Sequence, residues 1–365
     1  MHSKITEHQN KILRFLIASI ILIYLLFIFF SWGILRDKPP NLSANLVSQA
    51  EVSAQKLSTP MLDNTVAHAP VKVYTGIYLE DVQNVSIKES YWTTTFYVWF
   101  SWKGDKSLDP GKSFGLVSAQ IQKKELQDSF SSPDGTNYEC YKIVARMTKI
   151  FSTLHIPLDA HTLDIEIEDG ALDSSKLVYV VDPSSSINPD LALHDYKIEG
   201  FSQASVSHIY PTKFGDPRLG NQNHSSYSKY IYEVKFQRIG LGFYFKLFLG
   251  MFAGVFLTLA SFFIRPAEIA PRYGIPPISY FGAIGNAYIV NALLPQTSRY
   301  GLADLVTGLG LFTISFCIVI TITSGYFWFQ KDDKAFSKAI DKAAWKTFGL
   351  CFLIANIALV VMALN

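Results

Sequence analysis

Cysteine is nearly absent from this chain, so any β-rich part of it must hold together without disulfides. Only three cysteines occur in 365 residues. Cys317 and Cys351 fall inside apolar runs, which leaves Cys140 alone in the remainder and excludes a disulfide there, whatever the compartment. An excess of one charge is lacking too. Lys and Arg number 32 against 30 Asp and Glu, a net charge of +2, with no basic face for nucleic acid. There is no nucleophile elbow, zinc-protease helix or phosphate-cradling glycine loop, and the eight histidines lack ligand spacing. Enzymatic activity has no residue-level support, and neither a cofactor nor a metal is expected.

What the chain has in quantity is long apolar runs. Hydrophobic residues make up 49% of it and the mean hydropathy is +0.19. Runs at 241–264, 275–295, 302–329 and 345–364 each approach the ~20 residues that a bilayer-crossing helix needs. A fifth, Phe15–Leu35, lies near the N-terminus. Lys4, Lys11 and Arg14, then Arg265 and Arg272, then Lys331, Lys334, Lys338, Lys342 and Lys346 share one side if the chain crosses five times. That side is expected to be cytoplasmic. The N-terminus then lies inside a bacterial-type inner or plasma membrane, with the segment 70–238 and the C-terminus outside, and lipid is a partner. Residues 1–36 are read as a stub and an uncleaved anchor. The apolar core of about twenty residues exceeds the 7–15 of a signal peptide, and Arg36-Asp37-Lys38-Pro39-Pro40 follows without a small-x-small cleavage site. Residues 37–69, rich in Ser, Ala, Asn and Pro, read as a flexible tether.

From Val71 the pattern changes to two-residue alternation with β-branched and aromatic residues. Val71–Leu79 and Thr93–Trp102 read as strands, with further ones at 138–150, 176–182, 195–207 and 227–238. Turns are expected at Pro133-Asp134-Gly135, Asp182-Pro183 and Gly215-Asp216-Pro217. Many short strands at this spacing suggest a β-sandwich. Leu163, Ile165 and Ile167 alternate with Asp164, Glu166 and Glu168. That carboxylate row is read as a solvated strand face, with a divalent-cation site as the alternative. His155 and His161 bracket one loop, as an inert surface pair or as groups that titrate near neutral pH.

In order along the chain, several segments resemble one superfamily, the pentameric ligand-gated ion channels or Cys-loop receptors, and especially their prokaryotic branch. Thr75-Gly76-Ile77-Tyr78-Leu79 and Phe100-Ser101-Trp102-Lys103 resemble the first two strands of the receptor domain. Ser132-Pro133-Asp134-Gly135-Thr136 precedes a strand, as in bacterial members. Ile156-Pro157-Leu158-Asp159, followed by His161-Thr162-Leu163, resembles the Phe-Pro-Phe-Asp signature of the membrane-facing loop. Arg238 precedes the first bundle helix, Leu294-Pro295 closes the second, and Phe352–Ile357 resembles the fourth. The likeness covers roughly Val71 to Leu364. It departs from the pattern where Lys149 and Leu163 replace the two loop cysteines. Ser86 and Ile87 stand in place of acidic residues, Gly250 in place of a proline, and a Trp-x-Pro segment is missing from 105–131.

The resemblance implies an α+β membrane protein. An antiparallel β-sandwich at 70–238 would precede a four-helix pore domain at 239–365, with the N-terminal helix as an addition. It implies a homopentamer opened by a small molecule or by protons and passing ions along its second bundle helix. Gly274, Ile278, Phe281, Gly285, Tyr288, Ile289 and Ala292 would line the pore, with five Phe281 rings as a constriction that closes by dewetting. The face Ser279–Gly282–Asn286 is the rival by polarity, about 100° away on the helix. Pro276-Pro277 suggests that this helix begins there, leaving Ala270–Ile275 as a non-helical inner mouth containing Arg272, with Glu268 nearby. Arg272 leans the expectation towards anions, while Glu268 keeps cations open. Asp159 would pair with Arg238 while Pro157 and Leu158 press on the loop Pro295–Asp304. Tyr97, Asp169, Phe214 and Tyr227 would wall an agonist site, with protons sensed by carboxylates or histidines as an equal candidate. Two further readings are a non-conducting receptor or scaffold of the same fold and an anchored binding domain.

Overall fold

The computed structural model describes residues 5–36, 69–215, 217, 224–295, 297 and 299–364. The tether expected at 37–69 lies outside the described residues up to position 68, as does Asp216 of the third expected turn. The chain divides into two compact units. One holds Pro39–Phe151 and Ala160–Gln237; the other holds Met1–Lys38, Ser152–Asp159 and Arg238–Asn365. Segment 152–159 and Arg238, expected within the sandwich, thus cluster with the helices.

The first unit is built by alternation. Strand β2 (Tyr91–Lys103) turns Trp92, Phe96, Val98, Phe100 and Trp102 inward. β6 (Ala160–Asp169) does the same with Leu163, Ile165 and Ile167, and β10 (Ser225–Arg238) with Tyr230, Tyr232, Val234 and Phe236. These residues join one apolar cluster drawn from two sheets. The first sheet runs β4 (Ala119–Ser131), β5 (Thr136–Thr148), β2, β1 (Val71–Ser86), β7 (Leu177–Val181), with β8 (Ser186–Ile187) also on β1. The second runs β3 (Phe114–Leu116), β6, β10, β9 (Tyr196–Tyr210). The expected sandwich is present. It is not wholly antiparallel, because β7 and β8 both run parallel to β1.

Strand β4 escaped the sequence reading. It is an edge strand, nearly all exposed, and Lys123, Lys124, Glu125 and Asp128 blur its alternation in the way edge strands avoid pairing with other chains. Its hairpin to β5 does use the expected turn. Gly135 sits at φ +79°, and Asp134 accepts from the Thr136 amide at 3.2 Å and hydroxyl at 2.8 Å.

Among the described residues, five long helices make the second unit: α1 (Glu7–Leu35), α2 (Gly242–Ala260), α3 (Ile269–Leu293), α4 (Leu302–Phe329) and α5 (Lys334–Leu364). A capping box between Thr6 and Gln9 starts α1. Among the described residues, four stretches are long and apolar enough to cross a membrane: Glu7–Leu35, Gly242–Phe263, Leu302–Phe329 and Lys334–Leu364. α3, expected among the apolar runs at 275–295, is long enough but carries Arg272, Asn286 and Asn291 and is less apolar. α5 starts well before the expected 345, because Phe336, Ile340 and Ala344 continue its buried face.

α3 also begins at Ile269 rather than at Pro276 or Pro277, so both prolines lie inside the helix. Each removes one backbone hydrogen bond. Side chains on both flanks hold the helix in place. Arg272 and Tyr273 pack into the bundle before the prolines, as do Ser279 and Ala283 after them.

Small residues allow close helix approach, as in other membrane bundles. A Cβ on Gly310 of α4 would lie 2.2 Å from the Met251 sulfur on α2, and one on Gly325 would lie 2.0 Å from the Tyr273 hydroxyl. Gly310→Val is therefore expected to destabilise the protein by roughly 1–3 kcal/mol through overpacking, read as a lower thermal midpoint in detergent. An unchanged midpoint would mean that α2 and α4 are not in contact here.

Candidate functional site

Three groups of residues stand apart from ordinary packing. The first is the segment 152–159. Arg238 Nε donates to Asp159 Oδ1 at 2.9 Å and Nη2 to Oδ2 at 3.5 Å, while the Arg238 amide donates to the Asp159 carbonyl at 3.0 Å. The carboxylate side chain is 2% exposed and the guanidinium side chain 9%. The guanidinium also lies over the Phe243 ring, 4.5 Å from its centroid. Leu158 is buried in the helical core, and the Leu302 amide at the start of α4 donates to the Leu154 carbonyl at 2.8 Å. Gly301 makes that approach possible, since a Cβ there would sit 2.8 Å from the Thr153 carbonyl oxygen. Pro157 is buried beside them and Pro295 half-buried after α3. The expected Asp159–Arg238 pair is thus formed.

The second group is the outward face of α3. Ile278 and Phe281 are each 72% exposed and Tyr288 76%. Gly285, Ile289 and Ala292 share their exposure, and Gly274 is half-exposed. Ser279 on the rival face turns inward, and Asn286 donates to the Leu247 carbonyl of α2 at 2.9 Å. Polarity alone does not mark the exposed side of α3. In a bundle of low dielectric the polar side chains seek partners on neighbouring helices, and the apolar side is left outward.

Arg272 corrects the inner-mouth expectation. It lies on α3 with no exposed surface, donates to Asp341 Oδ1 of α5 at 2.5 Å and to the Ser261 carbonyl, and covers the Phe262 ring. An unpaired guanidinium at such a depth is costly, so it turns to the one buried carboxylate on the neighbouring helix. Glu268 remains exposed, just before the first turn.

The third group lies in the sandwich. The row Asp164, Glu166, Glu168 proves to be neither a solvated face nor a cation site. Asp164 pairs with Lys149, and Lys229 lies 2.9 Å from Glu166 and 3.3 Å from Glu168. Glu168 further accepts from the Tyr210 hydroxyl at 2.6 Å and contacts His208 Nδ1 at 2.6 Å. Among the described residues no cluster of His, Cys, Asp and Glu has the arrangement of a metal site. Burial first, and then the Glu168 carboxylate, raises the Tyr210 phenol and keeps it protonated.

Phe214 and Tyr227, two of the expected ligand residues, both pack on Tyr210, with ring centroids 5.4 and 5.9 Å away. The other two stand elsewhere. Tyr97 belongs to β2 and lies under the Lys142 ammonium at 5.0 Å. Asp169 is buried and accepts from the amides of Ala171 and Leu172 at 2.8 and 2.7 Å and from the Ser113 hydroxyl, which makes it a loop cap. Of the two histidines expected at the surface, His161 is buried and His155 half-buried. His161 lies between the rings of Phe151 and Phe236, and His155 reaches the Leu35 carbonyl.

Comparison with known proteins adds one finding. No family model matches the chain. Among characterised proteins it is similar to the proton-gated ion channel of Gloeobacter violaceus, 23% identical over 314 residues, which cover 80% of this chain and 84% of that protein. The order of sandwich and helices and the four apolar helices agree with that likeness. That likeness supports the resemblance to the pentameric ligand-gated ion channels.

The sandwich carries a second titratable cluster that sequence reasoning missed. The Lys124 ammonium lies 3.9 Å from the Phe114 ring centroid and 5.2 Å from that of Tyr141. Glu139 sits beside Tyr141, against Gly111, where a Cβ would be 2.2 Å from its carboxylate oxygen. Burial first, and then the Asp109 carboxylate, raises the Glu139 pKa. Its contacts come from strands and turns far apart in sequence, so no local pattern marks it.

Two outcomes are expected. Asp159→Ala leaves Arg238 as a buried, unpaired charge and should cost about 3–5 kcal/mol in chemical unfolding; a cost below about 1 kcal/mol, the usual worth of an exposed pair, would show that water reaches it. For Glu139 the folded-state pKa lies above the unfolded one. Its contribution to stability is therefore full below the ordinary carboxylate range and is lost as pH rises through the raised value. Glu139→Gln should flatten the thermal midpoint against pH across mild acid. An unaltered slope would place the acid response elsewhere.

Proposed function

We propose that this protein is the subunit of a homopentameric, proton-gated ion channel whose pore runs along the outward face of α3. The observation that carries the reading is that face itself. Ile278, Phe281, Tyr288 and Ile289 are uncovered in the single chain, while Arg272, Ser279 and Asn286 of the same helix turn into the bundle. Five copies arranged with α3 innermost would cover this face from lipid and bring five Phe281 rings together as a hydrophobic constriction.

The proton as agonist is supported by the relative's name and by two groups in the sandwich. At Glu168, two carboxylates, Glu166 and Glu168, face the one ammonium of Lys229, with His208 Nδ1 2.6 Å from Glu168. At Glu139, a carboxyl raised by burial and by Asp109 gains stability from protonation. Cations are favoured as the permeant ions, because Asp341 cancels the charge of Arg272 and Glu268 stays exposed at the inner end of α3. Five crossings put the N-terminus in the cytoplasm, and the sandwich and C-terminus outside.

Flux from liposomes holding the full chain, measured across a pH series with Phe281→Ala in parallel, tests this. Acid should open the wild type, and removal of the phenylalanine ring should raise flux at neutral pH by an order of magnitude or more. Five-fold rings without flux in either protein at any pH would overturn the channel and leave the non-conducting receptor.

A further inference from the structure

The helix α1 touches the bundle at three levels. At its start, the Gln9 side-chain amide donates to Asp333 in the turn between α4 and α5. Midway, the Tyr24 ring packs edge-on against Phe348 of α5, and its hydroxyl lies 2.6 Å from Thr313 Oγ1 of α4. Thr313 already donates its one hydroxyl proton to the Leu309 carbonyl at 2.7 Å, so Tyr24 is the donor to Thr313. At its end, the Leu35 carbonyl lies 3.1 Å from His155 Nε2. Leu35 is 3% exposed, and a carbonyl can only accept, so Nε2 carries the hydrogen.

That last contact falls where a helix needs it. Carbonyls in the final turn have no intrahelical partner, and the negative end of the helix dipole favours a donor there. The neighbouring residue of the same segment serves α4 in the opposite sense, since the Leu154 carbonyl accepts the first amide of that helix at 2.8 Å. Asp159, at the segment's end, holds Arg238 ahead of α2. One short segment therefore terminates or seats three helices. It is also the stretch through which the chain leaves the sandwich after Phe151 and returns to it at Ala160.

We propose that α1 holds the segment 152–159 in place through the Leu35 carbonyl and His155, which makes His155 a positioning residue and α1 a resident part of the helical unit. The donor is present in both the neutral Nε2–H form and the imidazolium, so the tie does not need protonation. Its bearing on opening rests on the channel reading above; the tie itself does not.

Hydrogen–deuterium exchange on the full chain in detergent, read by mass spectrometry, tests the tie. His155→Phe removes the donor and should speed exchange of the amides at 152–159 and 302–305 about fivefold, the worth of one hydrogen bond. His155→Gln keeps an N–H donor and should restore much of the protection. Tyr24→Phe removes only the hydroxyl in the middle of α1. It should speed exchange at 152–159 by a smaller factor, although no contact of that segment has been altered. Unchanged exchange at 152–159 in both His155→Phe and Tyr24→Phe would overturn the proposal. So would a glutamine variant no better protected than the phenylalanine one. In vesicles, His155→Phe should shift the pH of half-maximal flux while His155→Gln stays near the wild type. If no variant conducts, the channel reading fails, and the exchange result alone decides the tie.

Discussion

A carboxylate and a guanidinium almost out of reach of water, Asp159 and Arg238, form the ion pair on which the segment 152–159 depends. Asp159 precedes β6, and Arg238 closes β10, the strand paired with β6 from Gln237 opposite Ala160 onward. The pair thus clamps the adjacent ends of two strands at the point where one of them continues towards α2. Removing either partner would leave the other as a buried charge, which costs far more than the pair is worth when intact. The geometry is strongly constrained because it is bidentate, backed by a backbone hydrogen bond and covered by the Phe243 ring.

The same constraint, that buried polar groups must find partners, sets the rotation of the helices. Tyr244 donates to Asn356, Asn286 to the Leu247 carbonyl, Tyr24 to Thr313 and Arg272 to Asp341, while the hydroxyls of Ser324 and Ser337 meet. Each contact joins two different helices, and in an apolar medium such contacts replace the hydrophobic effect as the source of specificity. For α3 the consequence is which side stays uncovered. Its orientation is set by Arg272, Ser279 and Asn286 turning inward, so the side with Phe281 faces out because the other side is engaged.

Much of this was legible in the sequence where the signal is local. Alternation marks β2 and β6, the Pro-Asp-Gly turn marks the hairpin of β5, and the apolar runs mark the helices. What was not legible depends on partners distant in sequence. The carboxylate row on β6 reads as solvated because nothing local shows that Lys229 of β10 and His208 of β9 lie across it. Arg272 reads as a pore-mouth charge because its partner is 69 residues further on. The two prolines read as a helix start because local preference cannot weigh the packing of Tyr273 and Ser279 on either side. Edge strand β4 is hidden by the charges that keep it from pairing with other chains.

The cation-holding rings in the sandwich bear on the choice between an amine and a proton as agonist. Lys142 lies over Tyr97, Lys124 over Phe114 and Tyr141, and Arg146 over Tyr91 at 3.8 Å. These are the contacts by which an aromatic cage would hold an organic cation. Each of these rings already has a cation tethered to the same fold, and a tethered group acts at an effective concentration that a free ligand in solution must exceed. Phe214 is exposed, but its neighbour Tyr210 is fixed to Glu168 by its hydroxyl, so the carboxylate most available for an ammonium is taken as well. A proton needs no empty cage. A carboxyl group that favours its protonated form is enough, and burial with the Asp109 carboxylate makes Glu139 one.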